Sequence, residues 1–209
     1  MPAGGNPVRR KRKRRSSYSS GLSFYEDKKT MNFHALREAL MWILSTAIAI
    51  TAAVVCWRCW GLRVVVSSSS MAPGIASQQS VLINTLAYQF SDPEAGDVIA
   101  FFPGGNENLQ PSVKRIAAVP GDTVQIVDGV LLVNGAVSDL QDSYLNIEDA
   151  GIASSEILLE EDEYFVLGDN PSQGEDSRFA GIGTVDLTDI IGEVWIALPS
   201  ENAELHFVD

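Results

Sequence analysis

The sequence predicts a mostly β fold, antiparallel sheets or a partial barrel, behind one N-terminal transmembrane helix. Three observations predict it. Nineteen consecutive residues, Ala39 to Trp57, carry no charge. From Val64 onward the chain breaks into short runs rich in Val, Ile, Phe and Leu, with no sustained 3.6-residue period. Asp128-Gly129 stands between VQIV and VLLV, a hairpin signal, because the central positions of such a turn need positive φ.

Charge is segregated along the chain. Residues 1–37 hold ten Lys/Arg against Glu26 and Asp27, a net of +8, whereas residues 58–209 hold five against 24 Asp/Glu, a net of −19. A C-terminal part this acidic is a poor partner for nucleic-acid phosphates, which are held by Lys and Arg. No nucleic-acid partner is therefore expected. The basic run Arg9–Arg15 could also be read as a nuclear-localisation or nucleic-acid patch. An apolar span two dozen residues later argues for a membrane-flanking role instead. Residues 1–38 are read as a disordered basic cytoplasmic tail.

The stretch 39–57 is read as a transmembrane signal anchor. As a helix it is about 28 Å long, close to the roughly 30 Å hydrocarbon core. Trp42 near one end, and Trp57 and Trp60 near the other, suit the headgroup region. The alternative is a buried core helix, but the sequence offers no second convincing helix for it to pack on. Positive charge stays cytoplasmic, which puts the N-terminus inside and the rest outside. A cleaved signal peptide would have a shorter apolar core and a small-x-small end, where this chain has Arg58 and Arg63. Cys56 and Cys59 sit at the end of the span. Val55 is too large for a lipoprotein signal, and the outer part has no other cysteine, so both are read as structural and no disulfide or Cys-ligated zinc is expected.

Residues 58–209 are read as the extracytoplasmic β-rich domain. Strands are expected near 63–66, 81–87, 97–102, 113–119, 123–127, 130–133, 164–167, 191–198 and 205–208. Residues 136–163, acidic and less regular, look like an insertion or excursion.

Chemistry is sought in Ser67-Ser68-Ser69-Ser70-Met71-Ala72-Pro73, directly after the span. Alone, such a run is an ordinary flexible linker. A serine nucleophile needs a base. The two histidines, His34 and His206, lie on opposite sides of the span, which disfavours a Ser-His-Asp triad and a His-built zinc site alike. Lysine remains, and after Arg63 there is a single one, Lys114, flanked by apolar residues in SVKRIAAV. It could be a plain surface lysine. Burial against Val and Ile would instead disfavour its ammonium form and bring it to about 7–8, a usable base. The adjacent Arg115 should point to the opposite sheet face.

Four segments in order carry a resemblance. SSSMAP (68–73), GDVIAF (96–101), VKRI running into VPGD (113–122), and YFVLGDN with DSR (164–178) resemble the motifs of bacterial type I signal peptidases, and the similarity covers about residues 40–198. The resemblance implies a membrane-bound serine–lysine endopeptidase with a β catalytic domain. It would remove signal peptides from exported preproteins after small-x-small sites, without metal or cofactor. By position, Ser70 resembles the nucleophile and Lys114 the general base, and the Ser70 N–H with the Ser68 hydroxyl would form the oxyanion hole. Met71 and Pro73 would shape the turn and site wall. Gly168, Asp169, Asp176 and Arg178 would brace the lysine region, with Asp176 and Arg178 pairing structurally. The implied partners are signal peptides of secreted preproteins, the lipid bilayer and the export machinery, and the implied location is the bacterial plasma membrane.

The chain departs from the family pattern at Ser69, Gly74, Pro171 and Gly174. The last falls where many members have a serine that orients the lysine amine. None removes nucleophile or base. Two other functions stay open: a dedicated pilin or exported-protein processing peptidase, and a non-catalytic pilus-assembly chaperone of the same fold.

Overall fold

A computed structural model describes residues 33–60, 62–144, 147–200 and 203–208. The basic run and the tail through residue 32 lie outside the described residues. One α-helix, α1 (Phe33–Trp60), leads the chain. Its segment Phe33–Trp57 has a mean hydropathy of 2.2 over its most apolar window and none of that window is buried, so by length and composition it is a candidate to cross a membrane.

Twelve strands follow among the described residues: β1 (Leu62–Val65), β2 (Ser80–Asn84), β3 (Val98–Phe101), β4 (Ser112–Ala118), β5 (Thr123–Val127), β6 (Val130–Val133), β7 (Ala136–Val137), β8 (Ile157–Leu158), β9 (Glu163–Leu167), β10 (Val185–Asp186), β11 (Ile190–Ala197) and β12 (His206–Phe207). The main sheet runs β1-β2-β11-β3-β4-β9-β10, with β12 also on β11, and every described pairing is antiparallel. A smaller sheet, β7-β6-β5-β8, carries the hairpin read from sequence. Asp128 and Gly129 take φ of 50° and 81°, as such a turn requires. Asn134-Gly135 repeats the device between β6 and β7, with φ of 53° and 74°.

The strand at 81–87 is shorter than expected. It ends at Asn84, whose side-chain Oδ1 accepts the Leu86 N–H at 3.1 Å and turns the chain into a 3-10 helix, Ala87–Gln89. The irregular segment 136–163 is no mere excursion, since β7 and β8 flank the second sheet from within it. β10 is too short to read from periodicity, and it forms by pairing with β9.

Burial explains why β3 and β9 read as continuous apolar runs rather than alternating ones. Val98 and Ala100 of β3 join one core, with Met71, Ile75 and Ile83, while Ile99 and Phe101 join another, with Ile116, Tyr164 and Val166. β9 likewise sends Phe165 and Leu167 to a third cluster that holds the second sheet through Val124, Ile126 and Leu131. Strands buried on both faces lose the polar half of their pattern. The β3–β4–β9 centre is thus a firm platform for whatever side chains project from its ends.

β11 bends where its register on β3 slips between Ile190 and Gly192. A Cβ at Gly192 would lie 2.4 Å from the Asn84 carbonyl oxygen on β2, an approach only glycine allows. Gly192→Ala is therefore expected to cost about 1–3 kcal/mol, read as a lowered unfolding midpoint of the detergent-solubilised full chain.

Candidate active site

The loop between β1 and β2 presents the serines. Its neck is closed by Val66 N–H to Gln79 O at 2.9 Å and Gln78 N–H to Val66 O at 2.7 Å. The buried Gln79 amide fastens the loop further, accepting from Ala76 N–H and donating to Leu198 O, both at 2.9 Å. Within the loop, Ala72 N–H donates to Ser69 O and Ile75 N–H to Met71 O, so Ser70 stands on a tight turn. Met71, fully buried in the first core, anchors that turn, while Pro73 is exposed on its outer side.

Ser70 is 1% exposed. Its Oγ lies 2.9 Å from Ser68 Oγ, and its backbone N–H points towards the same Ser68 oxygen at 3.5 Å. Ser68 and the Ser70 amide therefore share one small space. The turn is held from below by the segment after β9. Asn170 N–H donates to Ser70 O at 2.8 Å, and Gly168 passes so close that a Cβ there would lie 2.5 Å from that same carbonyl. Glycine at 168 is a packing requirement.

Lys114 projects from β4, in register with Ile99 on β3, and is 3% exposed. Burial is the main cause that brings its amine down to about 8 from 10.5. Asp176, Asp169 and Glu175 oppose that shift, and Arg178 adds to it. Gly174 locates the amine relative to the serine: a Cβ at 174 would sit 3.7 Å from Lys114 Nζ, 3.8 Å from Ser70 Oγ and 3.3 Å from Ser70 Cβ. The two functional groups thus border one point, although among the described residues no hydrogen bond joins them and Ser70 Oγ instead meets Ser68.

Two buried ion pairs frame this point. Asp176 accepts from Arg178 Nε at 2.8 Å and a second guanidinium nitrogen at 3.0 Å, as expected, and also from Gly168 N–H at 3.4 Å. Arg178 spends its other donors on the carbonyls of Asp149 and Pro171, pinning the loop 168–178 at both ends. Asp169 is bound by Arg115 at 2.9 and 3.1 Å, and Arg115 also donates to Gly96 O at 2.8 Å. Arg115 ties the strand of Lys114 to the loop that supports Ser70, a role the sequence reading did not assign. It also missed Ser177, whose buried Oγ accepts the Val166 N–H at 2.9 Å and continues the bonding along β9.

A cleft of about 490 Å³ opens beside Ser68, Lys114 and Gly174, walled by apolar residues such as Val66, Leu109, Val113 and Ile182. His206 lies elsewhere in role: its ring nitrogens face the carbonyls of Gly74 and Glu204. Among the described residues no three His, Cys, Asp or Glu side chains gather as a metal ion would require. The arrangement sets a buried serine hydroxyl and a lysine amine of lowered pKa around one point, beside a groove with apolar walls.

Known proteins resemble this chain. The family described as signal peptidase, peptidase S26, matches residues 39–198. Signal peptidase IB of Staphylococcus aureus is 29% identical over 175 residues, 76% of this chain and 88% of that protein. A probable signal peptidase I-2 of a Synechocystis species is 32% identical over 120 residues, 56% of this chain and 54% of its own length. A crystal structure of a signal peptidase I from Enterococcus faecalis V583 is 30% identical, with a TM-score of 0.36, covering 49% of this chain and 97% of that one.

Two stability measurements test the site's electrostatics. Lys114 has a folded-state pKa below its unfolded one, so its charge opposes folding below about pH 8, and the penalty vanishes as pH rises past about 10.5. Lys114→Met is therefore expected to stabilise the protein by about 2–3 kcal/mol at pH 7 and by progressively less towards pH 10. Asp176→Ala, which leaves Arg178 buried without its carboxylate, should cost about 3–5 kcal/mol, with part of the loss recovered in Asp176→Leu/Arg178→Met. Unfolding midpoints of the full chain in detergent check both.

Proposed function

This chain belongs to the signal peptidase family, peptidase S26, and on that premise we propose that it cuts signal peptides from exported preproteins by a serine–lysine mechanism. Ser70 is the nucleophile and Lys114 the general base. The observation that carries this reading is the meeting of a buried serine hydroxyl and a buried, desolvated lysine amine around Gly174.

The steps follow from the chemistry of those groups. Neutral Lys114 takes the Ser70 proton as Oγ attacks the scissile carbonyl carbon, which needs a small turn of Oγ away from Ser68. The new oxyanion is met by the Ser70 N–H and the Ser68 hydroxyl, donors whose value is greatest when charge develops. The intermediate collapses, the C–N bond breaks, and the leaving amine receives the proton from the Lys114 ammonium. Water then loses a proton to Lys114, attacks the acyl ester, and releases the carboxyl product with Ser70 restored. No step calls on a metal or cofactor.

The substrate would lie extended in the cleft, making strand-like backbone hydrogen bonds. Val66, Val113 and their neighbours give the cleft apolar walls, which suit the uncharged side chains of a small-x-small sequence. Asp169, Asp176 and Arg178 act as positioning residues. The apolar helix would anchor the protein in the plasma membrane with its basic tail cytoplasmic and the β domain outside, alongside the export machinery. Tethering in the same bilayer raises the effective concentration of an anchored substrate.

A preprotein with an Ala-x-Ala site, incubated with the detergent-solubilised protein, tests the reading. Ser70→Ala and Lys114→Ala should each lower kcat/KM on the order of 10³-fold or more while keeping the fold. The parent's kcat/KM should rise with pH to a plateau, with its midpoint near 8, because only the neutral amine accepts a proton. Equal cutting by Ser70→Ala would overturn the assigned nucleophile. A folded parent inert towards several preproteins would favour a dedicated substrate or a chaperone-like role.

A further inference from the structure

Resting on the peptidase reading, we propose that Glu175 gives the cleft a charge preference, favouring substrates with a cationic side chain beside the scissile bond and disfavouring acidic ones. Among the residues lining the cleft, only Lys114 and Glu175 can carry charge. Lys114 works as a base in its neutral form, so the working cleft holds a single negative side chain. Glu175 is exposed and, among the described residues, has neither a hydrogen-bond nor an ion-pair partner, so its charge is not already compensated.

Its position fixes where that charge acts. Gly174, the preceding residue, borders Ser70 Oγ and Lys114 Nζ within 4 Å, so Glu175 stands one residue from the point of attack. The facing wall offers only neutral groups, including Ser67, whose hydroxyl donates to Gln110 Oε1 at 3.1 Å. The other nearby acids differ in kind. Asp169 and Asp176 are buried and each is neutralised by its own arginine, so neither reaches a substrate. The small side chains of a small-x-small site would face the apolar wall. The residue between the two small ones and the residue after the cut are then the ones free to vary in charge and to feel Glu175. The surrounding domain, with its net charge of −19 over residues 58–209, biases the same way at longer range.

The test uses one preprotein with an Ala-x-Ala site in three versions, carrying Lys, Gln or Glu at x or directly after the cut. Each is assayed near pH 9, where Lys114 is neutral and a substrate lysine still charged, against the parent, Glu175→Gln and Glu175→Lys. In the parent at low salt, kcat/KM for the Lys version should exceed that for the Glu version by about tenfold at one or both positions. Glu175→Gln should narrow the ratio to about threefold or less, Glu175→Lys should invert it, and high salt should flatten it. A ratio that Glu175→Gln leaves unchanged, or a uniform loss on all three substrates, would overturn the charge preference while the cut of the Gln version leaves the peptidase reading standing. No cutting of the Gln version, or cutting that survives Ser70→Ala, would sink the peptidase reading and this inference with it.

Discussion

A lysine amine buried on β4 is expensive to charge, and most of the site is arranged around keeping it so. Burial lowers Lys114 to about 8, but three carboxylates nearby pull the other way. Two of them are prevented from becoming its counter-ion. Asp176 is claimed by Arg178 and Asp169 by Arg115, each through two guanidinium contacts. A buried ion pair is a poor source of stability in itself. Here the pairs brace the loop, and among the described residues Lys114 has no ion-pair partner, which suits the base role proposed for it.

The same pairs transmit the strand platform to the serine turn. β3, β4 and β9 are buried on both faces, so Lys114 and the start of the 168–178 loop leave a stiff base. Arg115 joins that base to Asp169, and the next residue, Asn170, bonds the Ser70 carbonyl. Gly168 lets the two backbones approach without a side chain between them. Ser70 and Lys114, 44 positions apart in sequence, are held near one another by backbone contacts and one arginine. A site on such supports needs little reordering when substrate arrives.

Much of this was readable before any coordinates. The uncharged stretch 39–57, the Asp128-Gly129 turn and the apolar strand runs depend on local chemistry, which a sequence displays directly. Lys114 stood out because His was scarce and lysine unique in the outer part, whereas Ser70 was singled out from its run of serines by the family resemblance. The misses have a common cause. Arg115, Ser177 and Gly151 matter through partners far along the chain: Asp169, Val166 N–H, and the Arg178 carbonyl that a Cβ at 151 would strike. β10 exists only because β9 pairs with it, and the end of β2 was set by one Asn84 side chain that apolar periodicity cannot see. The flanks of the second sheet were hidden in an acidic segment because β7 and β8 are two residues each.

Gly174 carries a consequence for redesign of the site. Its φ of +94° is a backbone state that an L side chain rarely adopts, and its missing Cβ would press on Ser70 at 3.3 Å. A side chain at 174 would need both a changed backbone and a shifted serine turn. A serine placed there alone would meet a backbone state that it rarely adopts. Adding a hydroxyl beside the lysine at this position would therefore take the remodelling of several loop residues together, not one substitution.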